Sequence, residues 1–491
     1  MDIKIFIILS VLFISQCFAE DLNLLIHGPG LQPDKVVLPA RYFYVQFPDK
    51  IPDETLSIRT LNVSFRGASK EQRPCHIWHQ VLYTNDNSAI VRYRLYETCY
   101  DLVISVKFNS NHVSGSPFFF KGPILHEDCN CPEKDITRWL ADYGCREVHK
   151  KIVSDLSKFT NVNFEKFHEK AVKRFNNSLS SSVCHYVIKS NKIYRSCYGQ
   201  HIGFKVFMDG ILLSLTRKVV FPDFEIFTNL GDWPLMQKDN KNNFPMFSWC
   251  GSHDTVDIVM PTYDITDSSL ENMGRVSLDM LSVQGNIEKN WDKKVNMAFW
   301  RGRDASLERL KLIEISRKFP DLINASLTNF FFFRDKEDKY GPKVEHVSFF
   351  KFFDYKYQLN LDGTVAAYRF PYLLAGDSVV FKQDSKYYEH FYDDLQPWKH
   401  YIPVKSNLEN LIERLKWALE NDGKAKEIAE VGQMYARNNL LPRDIFCYHA
   451  HLFNEWSKKL ESPVTVRNGM EYIPQKSTKG CVCEQSKKDE L

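Results

Sequence analysis

The hydrophobic period of this chain changes once, and the change divides it into two folds. From residue 21 to about 122, short apolar and alternating runs such as Tyr42-Phe43-Tyr44-Val45 and Ile90-Val91-Arg92-Tyr93-Arg94-Leu95 are broken by Gly, Pro, Asn and Asp. That is the pattern of an all-β sandwich of about 100 residues. Beyond Lys121-Gly122-Pro123, helical and strand periods are mixed, which predicts an α/β unit. With 491 residues, 44% apolar and 14% aromatic, the chain can fill several cores and is far from a disordered composition. Its net charge of +3 is too small for the basic face of a nucleic-acid binder.

Both ends carry addresses. Lys4, an apolar run over residues 5–14 and Cys17-Phe18-Ala19 read as a signal peptide over residues 1–19, cleaved after Ala19. The apolar run is about ten residues, short of the roughly 20 that cross a bilayer, and no later segment offers a span. The chain ends Lys488-Asp489-Glu490-Leu491, a retention signal read by the KDEL receptor. Together the two ends place the protein in the lumen of the endoplasmic reticulum. That compartment is oxidising. Twelve cysteines become eleven when Cys17 leaves with the signal, so at least one thiol stays free or pairs between chains. Cys129-Asn130-Cys131 and Cys481-Val482-Cys483 are too closely spaced for a zinc knuckle and lack the histidines of a finger, so disulfides are expected and no metal. Asn62, Asn176 and Asn324 open glycosylation sequons, which suit a lumenal chain.

Residues 102–108 followed by 112–118 resemble the closing strands of filamin-type immunoglobulin repeats, so residues 20–122 read as a filamin-like immunoglobulin domain. Its expected role is a spacer or docking module without chemistry, with a sheet edge able to take a partner strand. Further on, strands are expected over 221–230 and 357–361 and helices over 307–318 and 407–420. In the last helix Ser406 and Glu409 have capping-box spacing, and Leu408, Leu411, Ile412, Leu415 and Leu419 share a face. Residues 355–381 read as a βαβ unit: Tyr357, Leu359 and Leu361 alternate, Asp362-Gly363-Thr364 turns, residues 365–374 form a helix kinked by Pro371, Gly376 stops it, and residues 378–381 make the next strand. Such units build doubly wound sheets, whose ligands bind beyond the carboxyl ends of strands. A glycine turn at a helix N-terminus suits a phosphate. The tail over 476–491 is polar.

Basic residues gather near that turn. Arg369 follows Gly363 by six residues, and Trp300-Arg301-Gly302-Arg303-Asp304 with Glu308-Arg309 opens another helix. Arginine's planar fork suits a diphosphate; the competing reading is salt bridges to Asp304 and Glu308. The sequence has no Asp-x-Asp, which disfavours a diphosphate held through a metal. Asp232, at the end of a strand in Thr228-Asn229-Leu230-Gly231-Asp232-Trp233-Pro234, is the candidate base, against the alternative of an ordinary turn aspartate. Ser252-His253-Asp254 suggests a hydrolase triad, but there is no Gly-x-Ser-x-Gly elbow and a solvated loop is expected.

From about residue 129 to 468 the chain resembles the protein O-glucosyltransferases of the endoplasmic reticulum, and with its filamin-like domain and KDEL end it is similar to their KDEL-motif-containing branch. The resemblance rests on Asn229-Leu230-Gly231-Asp232-Trp233-Pro234-Leu235, Trp300-Arg301-Gly302-Arg303-Asp304, Asn360-Leu361-Asp362-Gly363-Thr364-Val365-Ala366-Ala367-Tyr368-Arg369 and Pro397-Trp398-Lys399-His400-Tyr401-Ile402-Pro403-Val404-Lys405. It implies a GT-B glycosyltransferase with two Rossmann-like halves over residues 123–475: a first half over about 129–290, a donor-binding half over about 291–420, and helices over 421–460 returning to the first half. It implies inverting, metal-independent transfer of glucose, sometimes xylose, from a UDP-sugar to a serine of an EGF-like repeat, with no cofactor. The catalytic aspartate then falls on Asp232 and the diphosphate-binding arginines on Arg309 and Arg369. The nucleotide-binding stretch falls on Gly363, Thr364, Val365, Ala366, Ala367, Tyr368 and Arg369. Arg303 stands where the founding branch has a donor-binding serine. Asp264, Thr266, Asp267 and Ser268 fall near the acceptor groove, and Cys447 is expected to pair back to Cys129. Two other classes compete: a non-catalytic lumenal chaperone or lectin-like protein, and a glycoside hydrolase, which needs two carboxyl groups flanking one bond.

Overall fold

The structure is a computed structural model that describes residues 24–47, 61–271, 279–476, 481 and 483; the expected signal peptide and the expected retention signal lie outside them. Strands β1 (Leu25–His27), β2 (Arg41–Gln46), β3 (Leu61–Ala68), β4 (Ile77–Thr84), β5 (Ser88–Leu95), β6 (Tyr100–Phe108), β7 (Asn111–His112) and β8 (Phe118–Phe120) form the first unit. They make two sheets, β1-β2-β5-β4 and β3-β6-β7 with β8 also on β6. In β6 alternate residues Leu102, Ile104, Val106 and Phe108 point inward, as the two-residue period of a strand requires. They meet Phe43, Val45, Val91 and Tyr93 of the opposite sheet in one core, giving the expected sandwich.

The other face of that sheet is not solvated. Tyr42, Tyr44, Leu82 and Ile90 join the main hydrophobic core of the following unit, so β5 is buried on both faces along most of its length. A spacer would leave this face in water; here it is an internal wall, and that expectation is corrected.

The first half of the second unit runs α1 (Ile136–Asp142), α2 (Lys150–Leu156), α3 (Phe164–Phe175), β9 (Val183–Lys189), β10 (Lys192–Tyr198), α4 (Lys205–Thr216), β11 (Phe224–Asn229), β12 (Phe247–Ser248), β13 (Gly251–Ser252), β14 (Ile258–Val259), α5 (Tyr263–Leu270) and α6 (Met280–Gly285). The second half runs β15 (Val295–Arg303), α7 (Leu307–Lys318), β16 (Ile323–Asn329), α8 (Glu337–Tyr340), β17 (Tyr355–Asn360), α9 (Phe370–Ala375), β18 (Val379–Gln383), β19 (Tyr387–Tyr388) and β20 (Ile402–Val404). Then come α10 (Leu411–Glu420), α11 (Asp422–Asn439), α12 (Pro442–Ser457) and β21 (Glu471–Ile473).

The first sheet has the order β14-β12-β11-β9-β10-β21. Its β11, β12 and β14 are parallel. Strands β9 and β10 form an antiparallel hairpin, because the two residues joining them, Ser190 and Asn191, both have positive φ, the geometry that matches strand twist in a tight turn. The second sheet is fully parallel in the order β16-β15-β17-β18-β20. Its order reverses between β15 and β17, and a doubly wound sheet binds its ligand at such a point. The chain then returns to the first half: the Trp456 indole N–H in α12 donates to the Glu225 carbonyl at 2.8 Å, and Phe453 stacks on Phe224.

Two expected helices are shorter. The one expected over 365–374 is α9, six residues, and residues before it form a loop in which the Gly363 N–H donates to the Val365 carbonyl at 2.9 Å. Pro371 sits in the first turn, where a missing N–H costs nothing, so it starts the helix rather than kinking it. The helix expected from 407 begins at Leu411 with Asn410 as its cap, and Glu409 pairs with Lys405 instead of closing a capping box. Its apolar face is buried as expected.

The disulfide expectation is corrected. Cys447 does tie the last long helix to the first half, but its partner is Cys145, 5.4 Å away between Cα atoms. Cys129 instead bonds Cys481, and Cys131 bonds Cys483. The two Cys-x-Cys segments lie side by side, so each residue of one meets the matching residue of the other. Cys75–Cys99 and Cys184–Cys197 complete the set, and Cys250 is a buried free thiol. Among the described residues the group with metal-ligand spacing is His126, Cys129 and Cys481, two of whose sulfurs are joined to each other. No described helix is long and apolar enough to cross a membrane.

Candidate active site

A cleft of about 570 Å³ opens between the two halves at the sheet's reversal point, a volume in the usual range for a small-molecule site. Strand β15 ends at Gly302 and Arg303, and β17 leads into the loop from Gly363 to Arg369; with Arg309 of α7 these form one wall. Asp232, Trp233, Tyr263 and Asp264 of the first half form the other. All nine expected donor residues, Arg303, Arg309, Gly363, Thr364, Val365, Ala366, Ala367, Tyr368 and Arg369, line the cleft.

Arg309 is held by backbone rather than by acid. Its Nε donates to the Asp362 carbonyl at 2.8 Å, Nη1 to the Arg303 carbonyl at 3.1 Å and Nη2 to the Leu361 carbonyl at 3.0 Å. Asp304, the acid expected to neutralise the cluster, accepts the N–H groups of Phe331, Phe332 and Phe333 at 2.6–2.9 Å. Three carbonyls use three of the five guanidinium protons, leaving donors for a ligand. A Cβ on Gly363 would sit 3.3 Å from Nη2, so the glycine keeps that edge of the guanidinium open. Arg369 caps the start of α9 and donates through Nη1 to the Arg301 carbonyl at 2.6 Å. Burial, followed by repulsion from Arg369, lowers Arg309 to about 9. Burial likewise lowers Arg369 to about 10, with Asp264 opposing it. One buried and one partly buried cation, each bonded to carbonyls rather than to acids, favour an anionic ligand.

Helix α9 is only about one and a half turns long and begins after the loop, so its start reaches that wall through the side chains of Arg369 and Tyr372. Arg301 also lines the cleft, held by donating to the carbonyl and side-chain oxygens of Asn324 and lying over Phe299. The Asn324 amide nitrogen, which would carry a glycan, donates to Tyr355 Oη at 3.1 Å, whereas Asn62 and Asn176 are exposed.

Across the cleft, the turn after β11 is built by Asn229. Its Nδ2 donates to the Trp233 carbonyl at 2.7 Å and its Oδ1 accepts the Gly231 N–H at 2.9 Å. The Asp232 carboxylate is therefore not the turn-forming group; Oδ1 accepts a bond from the Tyr263 hydroxyl at 3.4 Å. Burial raises the Asp232 pKa, with the Tyr263 bond and Arg303 opposing. Asp264 is exposed at the mouth of the cleft, and desolvation by the protein around it, then Asp267 and Asp232, push it up to about 6. Of the four expected acceptor residues only Asp264 lines the cleft; Thr266, Asp267 and Ser268 do not. They follow it on α5, where Thr266 is buried and Ser268 accepts from the Tyr372 hydroxyl.

Asp254 is exposed and paired with Lys386, so Ser252-His253-Asp254 is a loop and not a triad. Asp257 accepts the N–H groups of Leu235 and Met236 and the Ser248 hydroxyl, a structural role. Tyr263, Trp233, Thr328, Phe332 and His346 line the cleft without having been expected. Tyr263 follows a Pro-Thr pair that starts a helix, and no local pattern aims it at a residue 31 positions away.

An immunoglobulin-like sandwich fused to two α/β halves, with an arginine-lined cleft at the reversal point of one sheet and an aspartate facing it, defines a glycosyltransferase with an accessory β domain. The model described as "Glycosyl transferase family 90" matches residues 141–491 and that of the "Filamin/ABP280 repeat" matches residues 21–119. The chain is similar to Protein O-glucosyltransferase 2 of Danio rerio, 49% identical over 95% of this chain and 94% of that one. It is similar also to Protein O-glucosyltransferase 3 of Homo sapiens, 44% identical over 94% and 92%. Protein O-glucosyltransferase 1 of Homo sapiens is 32% identical over 70% of this chain and 90% of its own. The chain belongs to glycosyl transferase family 90.

Proposed function

We propose that this enzyme transfers glucose, with xylose as a second sugar, from a UDP-sugar to a serine hydroxyl of EGF-like repeats, with inversion at the anomeric carbon, in the lumen of the endoplasmic reticulum. The observation that carries this reading is the opposition of Asp232 to Arg303, Arg309 and Arg369 across one cleft. The names of the relatives support a glucosyl donor and a protein acceptor; the EGF-like serine follows from the family resemblance, and the lumenal address from the two chain ends.

Asp232 as carboxylate accepts the serine proton while the serine oxygen bonds to the anomeric carbon. The bond from that carbon to the UDP oxygen breaks, and UDP leaves with the electron pair. One displacement from the face opposite UDP inverts the centre. Arg309, Arg369 and Arg303 take up the negative charge growing on the diphosphate. The sequence has no Asp-x-Asp pair to hold a metal on the diphosphate, so EDTA should leave the rate unchanged, and strict dependence on added manganese would overturn the arginine-based account.

The test is a panel of UDP-sugars incubated with the purified chain, with and without a folded EGF-like repeat. Hydrolysis of UDP-glucose and mass gain of one hexose on the repeat are expected. Absence of both would favour the lectin-like alternative.

A further inference from the structure

We infer that the immunoglobulin-like domain is a working part of the transferase site: Arg92 and Arg94, neighbours on the same face of β5, position α5, which carries one wall of the cleft, and α6, which packs behind the other. This rests on the glucosyl-transfer reading above.

Alternation along β5 turns both arginines outward from the sandwich core toward the catalytic unit. Arg94 forms an ion pair of 3.6 Å with Glu271, the residue that ends α5 in a left-handed conformation. Arg92 donates through Nη1 to Asp279 at 3.1 Å and to Ser282 at 3.0 Å. Asp279 is the cap of α6 and accepts the N–H groups of Leu281 and Ser282. Gln80 on β4 accepts two bonds from the rest of the Arg92 guanidinium, at 2.7 and 2.9 Å, so its direction is set from within the immunoglobulin domain. Packing reinforces the charges. A Cβ on Gly285 would lie 2.5 Å from the Leu82 Cβ of β4, and the Tyr44 hydroxyl donates to the buried Gln284 at 3.3 Å.

From these anchors the contacts run directly to the site. Helix α6 packs on α9, whose cap is Arg369. Tyr372 of α9 donates to the Asp264 carbonyl at 3.0 Å and to Ser268 at 3.1 Å, both on α5. Helix α5 begins with Tyr263, which bonds the Asp232 carboxylate, and presents Asp264 to the cleft. The Arg94–Glu271 pair thus holds the end of the helix that orients the base and the acceptor wall. The Arg92–Asp279 pair holds the helix behind Arg369. Neither arginine lines the cleft; both are positioning residues.

The test uses the full chain with Arg94→Gln and the reversed pair Arg94→Glu/Glu271→Arg. Read-outs are kcat/KM for transfer to a folded EGF-like repeat, acceptor-free hydrolysis of UDP-glucose, melting temperature, and amide exchange in residues 263–270. Misplacing a reacting group by about 1 Å costs up to 100-fold. Arg94→Gln is expected to lower transfer by about tenfold, keep hydrolysis within about twofold and quicken exchange in residues 263–270, with the reversed pair restoring most of the loss. Unchanged transfer and unchanged exchange in a folded variant would overturn the inference. So would an equal loss of both activities that follows melting temperature and is not restored by the reversed pair. If the wild-type chain neither hydrolyses UDP-glucose nor transfers, the functional reading fails, and the exchange comparison still decides whether Arg94 holds α5.

Discussion

The Tyr263 hydroxyl donates to Oδ1 of Asp232 across 3.4 Å, joining the first turn of α5 to the loop that ends β11. The bond orients the carboxylate toward the cleft and stabilises its charged form against the burial that raises its pKa. An aspartate poised in this way serves as a base above its own pKa and is silenced below it.

Asp232→Asn keeps the shape and removes the base. Transfer should fall by roughly 100-fold or more, the usual scale for losing general-base catalysis, while UDP-glucose affinity changes little because the arginines face it from the other wall. Because Asn229 makes the turn, melting temperature should change only modestly. Kinetics, calorimetry and a melt on one preparation check this; turnover within a few-fold of wild type would remove Asp232 as the base.

Tyr263→Phe removes the bond that lowers the Asp232 pKa. The folded-state pKa should therefore rise further, and the acid limb of the kcat/KM profile for transfer should move to higher pH. A profile that keeps its midpoint would show that the hydroxyl does not bear on the base.

Arg369→Ala removes a partly buried cation from the cleft proposed to hold the diphosphate. UDP affinity should drop by about tenfold to 100-fold, the scale of a lost charge-assisted bond. Melting should change less, because the bond lost within the protein is to the Arg301 carbonyl alone. Calorimetry with UDP decides; unchanged affinity returns Arg369 to a structural role.

Asp264 gives a pH signature of stability. Its folded-state pKa of about 6 lies above the ordinary 3.8, so the folded chain holds that proton more tightly than the unfolded one. The stabilisation this provides is complete below the ordinary value and is lost as pH rises through about 6. Asp264→Asn should therefore raise the melting temperature at pH 7.5 more than at pH 4; a gain independent of pH would place the effect elsewhere.

Much of the site was legible because it is local. A strand-turn-helix pattern and a two-residue period set the direction of Leu359 and Leu361 within a few residues, and so placed Gly363 beyond the end of β17. Asp232 was legible for the same reason, as the residue just past a buried strand. The helix around Arg369 was misread because Pro371 suits a first turn as well as it breaks an interior, and only the loop bond from Gly363 to Val365 distinguishes the two. Thr266, Asp267 and Ser268 do not line the cleft beside Asp264, because a helix turns about 100° per residue and one residue on the cleft does not bring its neighbours with it.

The sandwich, the parallel sheet and its arginines follow from the order of residues, since each depends on backbone period or on a short motif. Tertiary structure decided which sulfur meets which, that Tyr263 reaches Asp232, and that Arg92 and Arg94 of the first domain hold α6 and α5 of the second. These are pairings between residues from 13 to 352 positions apart, and no local conformational preference distinguishes Cys145 from Cys129 as the partner of Cys447. The choice is made by the packing of α12 against the first half and of β5 against the catalytic core, where burial of apolar surface brings the partners within bonding distance.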